Sequence, residues 1–222
     1  MKHDDQVEPL AVELEAEPAA AAVLAGDRIE VLREFAADLA ARGEELGLIG
    51  PLELPRLWTR HLLNSAVLAP LLRTGGRVAD IGTGGGMPGL LLGIVRPDVE
   101  MFLIEPMERR CAWLTEQIER LGLTNTHVKR GRAEEFHGAF EVDQVTARAV
   151  TALRKLVPLT VPLLREDGEL LFLKGAAIHD EIEAAQKVLR KYKLRDVEVT
   201  ELGADLLTES TRVFRAKVGI HG

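Results

Sequence analysis

The chain has 222 residues, of which 46% are hydrophobic and 28% are charged. This balance is typical of one globular domain that buries a sizeable core. No apolar run approaches the ~20 residues that a membrane-spanning helix needs, and the acidic N-terminus lacks the basic and then apolar order of a secretion signal. The single cysteine, Cys111, permits no internal disulfide, so we expect a cytoplasmic protein that contacts no membrane.

The negative charge is concentrated at the N-terminus. The formal net charge is −7, and residues 1–25 hold six acidic residues against one basic residue, Lys2. Five of the seven excess negative charges therefore lie in this segment, while basic clusters such as Arg109-Arg110 remain in the rest of the chain. Because net charge governs solubility and nonspecific association rather than local patches, the sequence neither requires nor excludes a nucleic-acid partner.

The chain divides into three segments. Residues 1–25 combine acidic residues, two prolines and an alanine run, and they offer little to bury. We predict a disordered tail there, with at most a short alanine-rich helix. Residues 26–75 are predicted to form a helical cap, and residues 76–222 a larger domain.

Two helices are predicted in the cap. Asp27 and Glu30 have the spacing of a capping box, apolar residues then recur on one helical face, and Gly43 ends the helix. A second helix is predicted from about Pro55 to Leu72, because the glycine pair that follows breaks it.

The larger domain alternates strands and helices. The predicted strands are Arg77–Ile81, Val99–Glu105, Thr126–Lys129, Val142–Ala147, Glu169–Lys174, Val197–Glu201 and Thr211–Val218. The predicted helices are roughly Gly89–Val95, Met107–Leu121, Thr151–Leu164 and Ile178–Tyr192. This alternation predicts an α/β, Rossmann-like fold, in which helices cover a mostly parallel sheet and the last strands add an antiparallel edge. Ligands of such sheets bind at the carboxyl ends of the strands, where the strand order reverses.

A glycine-rich loop joins the first strand of this domain to its first helix. It reads Gly82-Thr83-Gly84-Gly85-Gly86-Met87-Pro88-Gly89. Glycine lets the backbone turn sharply and lets a ligand approach closely, although a plain strand-to-helix turn is the simpler alternative. The loop departs from a dinucleotide-binding G-x-G-x-x-G at Met87, and it lacks the Gly-Lys-Ser/Thr ending of a triphosphate-binding loop.

Acidic residues beside the loop favour a cationic ligand. Asp80 would repel a pyrophosphate but attract the sulfonium and ammonium groups of S-adenosylmethionine, so we predict that Asp80, Gly82 and Gly84 bind this cofactor. Glu105 ends the second strand, where a carboxylate accepts ribose hydroxyls, although an exposed strand-end glutamate is the alternative. Ala133-Glu134 follow the third strand, and we predict that they contact an edge of the adenine. The alternative is that Glu134 simply begins a helix.

Several short motifs occur together and in order. They are Arg60-His61-Leu62-Leu63-Asn64-Ser65, the segment from Asp80 to Gly89 followed by Arg96-Pro97, Arg132-Ala133-Glu134-Glu135-Phe136, Arg148-Ala149 and Leu173-Lys174-Gly175. Through them the chain resembles the bacterial small-subunit rRNA guanine-N7 methyltransferases of the RsmG (GidB) family, from about Trp58 to Gly175. The motifs are specific in combination, although each is weak alone. The chain departs from the family at Asn64, where aspartate is usual.

The resemblance implies a class I methyltransferase fold, S-adenosylmethionine as the methyl donor, and methylation of one guanine in the decoding region of 16S rRNA. It implies a partner that is 16S rRNA or the small ribosomal subunit, and we expect the enzyme to be a monomer. Carried over position by position, it assigns cofactor contacts to Gly82, Met87, Ala133, Glu134 and Arg148, with Glu105 at the place of the acidic residue after the second strand.

Arg148 is the predicted catalytic residue. At the end of the fourth strand it would face the pocket and contact the donor, an rRNA phosphate or guanine O6 through its planar fork. Arg60, His61 and Lys174 are candidate RNA contacts. For Lys174 a solvated surface position is the simpler alternative, and for His61 it is a hydrogen-bonded core position.

The expected chemistry makes few demands on the site. Guanine N7 has a free lone pair and needs no deprotonation. The reaction therefore depends on aligning N7 with the methyl group more than on a general base. Scattered histidines and a lone cysteine give no zinc spacing, so no metal is predicted. Three alternatives remain open: a small-molecule methyltransferase, a catalytically silent RNA-binding protein on the same fold, and a nicotinamide-dependent oxidoreductase, which Met87 disfavours.

Overall fold

A seven-stranded sheet lies at the centre of the computed structural model, which describes residues 13–50 and 52–219. The strands are β1 (Arg77–Ile81), β2 (Glu100–Glu105), β3 (Thr126–Arg130), β4 (Val142–Arg148), β5 (Leu164–Lys174), β6 (Leu194–Leu202) and β7 (Thr211–Val218). Their order is β3-β2-β1-β4-β5-β7-β6. The first five strands pair in parallel, and β7 runs antiparallel to both β5 and β6, as the sequence predicts.

Helices cover both faces of this sheet. They are α1 (Ala20–Ala25), α2 (Ile29–Arg42), α3 (Asn64–Ala66), α4 (Gly89–Val95), α5 (Glu108–Arg120), α6 (Leu153–Thr160) and α7 (Ile178–Lys191). One apolar core unites the N-terminal helices, α4 and α5 with one face, and a second unites α6 and α7 with the other. Among the described residues, no helix combines the length and the apolar character needed to cross a bilayer.

Strand register brings the predicted site residues to one edge of the sheet. Ile81 at the end of β1 pairs with Ile104 of β2 on one side and with Ala147 of β4 on the other. The chain first builds outward from β1 to β3 and then returns to place β4 beside β1. The strand order therefore reverses between β1 and β4, where parallel sheets bind their ligands.

The N-terminal segment differs from the predicted disordered tail. Residues 1–12 lie outside the described residues, but α1 falls within 1–25, and Ala21 and Ala25 are buried in the core. The Glu15 amide donates to the carbonyl of Leu54, and the Glu15 carboxylate accepts from the amide of Thr59. The sequence allows a short alanine-rich helix here, but composition alone does not reveal that its methyl side chains pack against another helix.

The predicted capping box is wrong. A 3-10 turn, Gly26–Arg28, precedes α2, and the N-cap position falls on Arg28 with no side-chain hydrogen bond. Asp27 lies inside that turn. Glu30 bonds instead to Arg33 on the helix surface. The helix does end at Arg42, directly before Gly43, as predicted.

The predicted second helix, 55–72, is broken into short pieces. They are a 3-10 turn (Leu54–Arg56), a π-helix (Leu57–Leu63), α3 and a further 3-10 turn (Ala69–Leu71). Proline is the second residue of both 3-10 turns. The Ser65 hydroxyl donates to the carbonyl of His61 at 2.7 Å, a local bond that competes with regular helix geometry. The π-helix carries Arg60 and His61 to the functional edge of the sheet.

Candidate active site

The glycine loop after β1 exposes its backbone at two positions. Gly82 and Gly84 have φ angles of 66° and 58°, a region that favours glycine. A Cβ atom added to Gly84 would meet nothing closer than the Gly82 carbonyl oxygen at 3.9 Å. The loop therefore presents main chain to open space, as a surface that a ligand approaches.

Three hydrogen bonds from neighbouring elements hold the loop in place. The Gly82 amide donates to the carbonyl of Ile104 at 2.9 Å. The Trp113 indole of α5 donates to the carbonyl of Gly85 at 3.1 Å. The Gly84 amide donates to Glu105 Oε2 at 3.0 Å, so the loop and the acidic end of β2 are joined directly.

Glu105 is a buried carboxylate with acceptor capacity to spare. It is 2% exposed, and besides Gly84 it accepts a hydrogen bond from the Met107 amide at 3.0 Å. A carboxylate has about four lone-pair positions, so two amides do not saturate it. Beside it, the Nε atom of Arg110 is buried and has no hydrogen-bond partner in the part of the chain that the structure describes. Both groups suit a polar ligand with hydroxyls, such as a ribose.

Asp80 faces inward rather than into open space. It is fully buried, its Oδ2 accepts from the Gly89 amide at 2.8 Å, and its Oδ1 accepts from the Thr146 hydroxyl at 3.0 Å. Burial raises the pKa of this carboxyl to about 6, and the hydrogen bonds offset only part of that effect. Asp80 thus ties the start of α4 to β4 and shapes the loop from behind.

A cavity of about 670 Å³ opens at the carboxyl ends of β4 and β5. It is lined by Arg60, His61, Asn64, Arg148, Ala149, Val150, Thr151, Leu173, Lys174, Gly175, Ala176, Glu181, Glu209, Ser210, Thr211 and Arg212. All four predicted catalytic and RNA-contacting residues are in this set. Its volume lies within the ~300–1,000 Å³ range of small-ligand sites.

The glycine loop adjoins this cavity through Val150. A Cβ atom added to Gly82 would lie 3.1 Å from Val150 Cγ2, and Val150 also lines the cavity. Gly82 and Glu105 themselves do not line it. The edge of the sheet thus carries two adjacent half-sites, one around the loop and Glu105 and one around Arg148.

Arg148 is a largely buried cation, and Asp80 and Glu53 are the carboxylates whose charge acts on its guanidinium. Its guanidinium donates to His61 Nδ1 at 3.3 Å, and within the described ranges no carboxylate forms an ion pair with it. Burial lowers the pKa of the guanidinium, although arginine stays protonated in proteins. The next residue, Ala149, has a φ of 53°, and such strained backbone is concentrated at functional sites.

Lys174 is occupied within the protein. Its ammonium donates to the carbonyl of Thr151 and to Glu181 Oε2, both at 2.9 Å, and its side chain is only 8% exposed. The same Glu181 oxygen accepts from the Leu153 amide at 3.0 Å. Lys174 therefore stabilises the segment that leads into α6. Arg60, by contrast, is exposed at the rim of the cavity.

Comparisons with known proteins agree on one family. The family described as GidB, rRNA small subunit methyltransferase G, matches residues 28–210. The ribosomal RNA small subunit methyltransferase G of Clavibacter michiganensis is 60% identical over 210 residues, which cover 95% of this chain and 99% of that protein. Its counterpart from Leifsonia xyli is 60% identical over 205 residues, 92% and 98% of the two chains. The chain belongs to the rRNA small subunit methyltransferase G family.

Solved structures share the fold at low sequence identity. TYW2 from M. jannaschii, crystallised in complex with AdoMet, superposes with a TM-score of 0.58 at 21% identity, over 74% of this chain and 78% of that one. A SAM dependent methyltransferase from Aquifex aeolicus gives 0.55 at 19% identity, over 79% and 97%. The predicted class I methyltransferase fold is confirmed.

The remaining predicted contacts of this methyltransferase G chain lie around the loop without facing the cavity. The Met87 side chain is 4% exposed and belongs to the apolar core. Ala133 is buried and Glu134 is exposed in a 3-10 turn, Ala133–Phe136, that follows β3. Among the described residues, no group of three or more histidine, cysteine, aspartate or glutamate side chains is arranged to hold a metal ion.

Sequence reasoning missed two partners in this methyltransferase G site. The Glu53 carboxylate bonds to His61 Nε2, and the Thr211 hydroxyl bonds to Asn64 Oδ1. Glu53 lies in an irregular segment eight residues before His61, and Thr211 lies 147 positions beyond Asn64. Neither pair follows a helical or strand spacing, so no local pattern indicates it.

Proposed function

We propose that the protein transfers the methyl group of S-adenosylmethionine to N7 of one guanine in the decoding region of 16S rRNA, within the small ribosomal subunit. Family membership supports an rRNA substrate. The observation that carries the site assignment is the largely buried Arg148 guanidinium, which forms no direct ion pair among the described residues and faces a cavity beside the glycine loop.

The donor is proposed to bind along the loop and the end of β2. Glu105 accepts the ribose hydroxyls, the main chain at Gly82 and Gly84 lets the donor approach, and Ala133-Glu134 border the adenine. Asp80 acts from behind the loop, because both of its oxygens are already bonded to the protein. When bound, S-adenosylmethionine supplies an electrophilic methyl group on a sulfonium.

The target guanine is proposed to enter the cavity that Arg148 faces. The N7 lone pair attacks the methyl carbon as the sulfur–carbon bond breaks, the bonding pair stays on sulfur, and no proton moves. A base is therefore unnecessary, which suits a site where Lys174 and Glu181 are bonded to each other. Arg148 donates either to guanine O6, leaving N7 free, or to the carboxylate of the donor.

The charge of the cavity suits an RNA substrate. Arg60, Arg148, Lys174 and Arg212 line it, against the two carboxylates Glu181 and Glu209. Because Lys174 is engaged with Glu181 and Arg212 with Glu201, we propose that the exposed Arg60 contacts phosphate, while Lys174 keeps the start of α6 in place. His61 acts within the protein rather than on the RNA.

The direct test is methyl transfer to ribosomal substrates. Unmodified small subunits, naked 16S rRNA and large subunits are each incubated with methyl-labelled S-adenosylmethionine, and N7-methylguanine is mapped by chemical strand cleavage. We expect label at one guanine of the small-subunit rRNA. Binding to rRNA without label would favour a silent RNA-binding protein, and label only on a metabolite would favour a small-molecule enzyme.

We further propose that the enzyme acts as a monomer in the cytoplasm. Membership of an rRNA methyltransferase family and the single buried cysteine support the cytoplasmic location. Sedimentation at micromolar concentration tests the assembly state, and a dimer would contradict the first part of this proposal.

A further inference from the structure

Three polar side chains form a continuous chain behind the cavity. The Glu53 carboxylate bonds to His61 Nε2, and His61 Nδ1 lies 3.3 Å from the guanidinium of Arg148. The first two side chains are 19% and 14% exposed, so water competes weakly for these bonds. The chain therefore links the irregular segment before the π-helix to the end of β4.

The partners of His61 determine where its proton sits. An arginine guanidinium only donates hydrogen bonds, so Nδ1 must accept. An ionised carboxylate only accepts, so Nε2 must carry the hydrogen. Hydrogen bonds from Arg56 and His61 outweigh the effect of burial and lower the pKa of Glu53, which keeps that carboxyl ionised. His61 is thereby a neutral imidazole with its hydrogen on Nε2.

We infer that Glu53 is a positioning residue: it holds His61 as the Nε2–H tautomer, and His61 Nδ1 in turn anchors the Arg148 guanidinium in the substrate cavity. The inference deepens the proposed function, because it assumes that Arg148 contacts the substrate or the donor. It adds a residue outside the cavity lining and gives His61 a role that requires no contact with RNA.

Protonation of His61 breaks this chain. A hydrogen on Nδ1 would point at the guanidinium and place two cations 3.3 Å apart, so Arg148 would leave its position. The charged groups that act on the pair are Glu53, which raises the pKa of His61, Arg60, which lowers it together with Arg148, and Asp80, whose charge acts on the Arg148 guanidinium. Burial is the largest influence and lowers the pKa of His61 below 6.5. Methyl transfer should therefore fall as the pH drops to the lowered pKa of His61, where the imidazole gains a second proton.

The first experiment reads the tautomer in the full-length protein without any substrate. Long-range proton–nitrogen NMR of labelled histidine distinguishes Nε2–H from Nδ1–H imidazole. We expect Nε2–H for His61 in the wild type. In Glu53→Gln the amide oxygen faces the donor Arg56 and its NH2 group faces His61 Nε2, so we expect a switch to Nδ1–H that releases the Arg148 guanidinium from His61.

The matched control is Glu17→Gln. Glu17 forms a comparable pair with Arg33 but contacts no histidine within the described chain. We expect this variant to keep both the His61 tautomer and the rate of methyl transfer. An Nδ1–H tautomer in the wild type, or an unchanged tautomer in Glu53→Gln, would overturn the inference whether or not the protein methylates rRNA.

The second experiment follows methyl transfer to small subunits against pH. Glu53→Gln should lower the rate roughly tenfold or more, the loss typical of one charge-assisted hydrogen bond. His61→Asn places a non-titrating acceptor near the Nδ1 position, so it should keep most of the rate and lose the acidic fall. An acidic fall that persists unchanged in His61→Asn would belong to another group such as Asp80 and would contradict the inference.

Discussion

At the scale of single residues, Gly84 tests whether the loop meets the donor through its backbone. The position has a φ of 58° and open space where a Cβ would lie. We expect Gly84→Val to weaken S-adenosylmethionine binding at least tenfold by calorimetry, because the side chain occupies the space that the donor needs.

Gly122 provides the matched control for that change. It has a φ of 62°, a Cβ atom added to it would meet nothing within 4 Å, and it is in the turn between α5 and β3. Gly122→Val therefore causes a similar backbone strain away from the site. We expect a comparable loss of unfolding free energy and normal donor binding, whereas equal donor affinity in both variants would remove Gly84 from the site.

Asp80 should make the stability of the protein depend on pH. Its folded-state pKa is raised to about 6 from the ordinary value of 3.8, so the native state holds this proton more tightly than the unfolded chain. Stability from this carboxyl is present below about pH 4 and is lost as the pH rises to about 6. The loss is about 3 kcal/mol, because one pH unit corresponds to about 1.4 kcal/mol.

Asp80→Asn removes this titration and keeps a side chain that forms hydrogen bonds. Denaturant unfolding of both proteins from pH 4 to pH 7 should show the wild type losing stability relative to the variant. Two curves that stay parallel over this range would show that Asp80 does not titrate there.

Arg148→Lys tests whether the planar pair of donors on the guanidinium matters in addition to its positive charge. Lysine keeps a cation at the end of β4 but has no planar pair of donors. We expect a loss of methyl transfer of roughly tenfold or more, with unchanged unfolding free energy. A rise in KM for S-adenosylmethionine alone would assign Arg148 to the donor carboxylate, a fall in kcat alone would assign it to the guanine, and wild-type kinetics would contradict both roles.

At the scale of elements, α1 shows that a segment of acidic and alanine-rich composition packs into the core. Ala21 is fully buried, and Val23 on the same helix is 67% exposed. We expect Ala21→Asp to lower the free energy of unfolding by more than about 2 kcal/mol, because it buries an unpaired carboxylate. Val23→Asp, the control, should change it by less than about 0.5 kcal/mol. Equal effects of the two changes would mean that α1 is detached in solution.

Elements with strong local patterns could be predicted from the sequence. The bounds of β1, α4 and β7 agree with the prediction residue for residue, because β1 and α4 are mostly apolar, β7 alternates polar and apolar residues, and glycine, proline, serine or arginine flanks each of them. The segment 54–71 could not, since its π-helix depends on Ser65 bonding to His61 and on contacts with α1. Regular periodicity gives no sign of such tertiary effects.

At the scale of the whole molecule, the parallel register explains why the sequence could predict that the candidate site residues lie at one edge of the sheet. Because β1, β2 and β4 end at one edge, motifs spaced along the chain had to meet there, and the loop, Glu105 and Arg148 do so. The sequence could not reveal that this edge of the sheet is divided into two half-sites. Val150 lies between the loop and the cavity, and Lys174 faces a carboxylate rather than solvent.

The positions of the two half-sites indicate the orientation in which S-adenosylmethionine is proposed to bind. In the binding mode that we propose, the adenosine lies over β2 and β3, near Glu105 and Ala133-Glu134, and the methyl group points past Val150 toward Arg148. Reaction with a guanine in the cavity requires this direction, because the reacting atoms must be aligned at ~3–3.5 Å.

A crystal structure of the protein with S-adenosylmethionine is the most direct measurement of this arrangement. We expect both ribose hydroxyls within hydrogen-bond distance of Glu105, the donor against Gly82 and Gly84, and the methyl group facing the Arg148 cavity. A donor bound elsewhere, or one whose methyl group faces away from Arg148, would contradict the assignment.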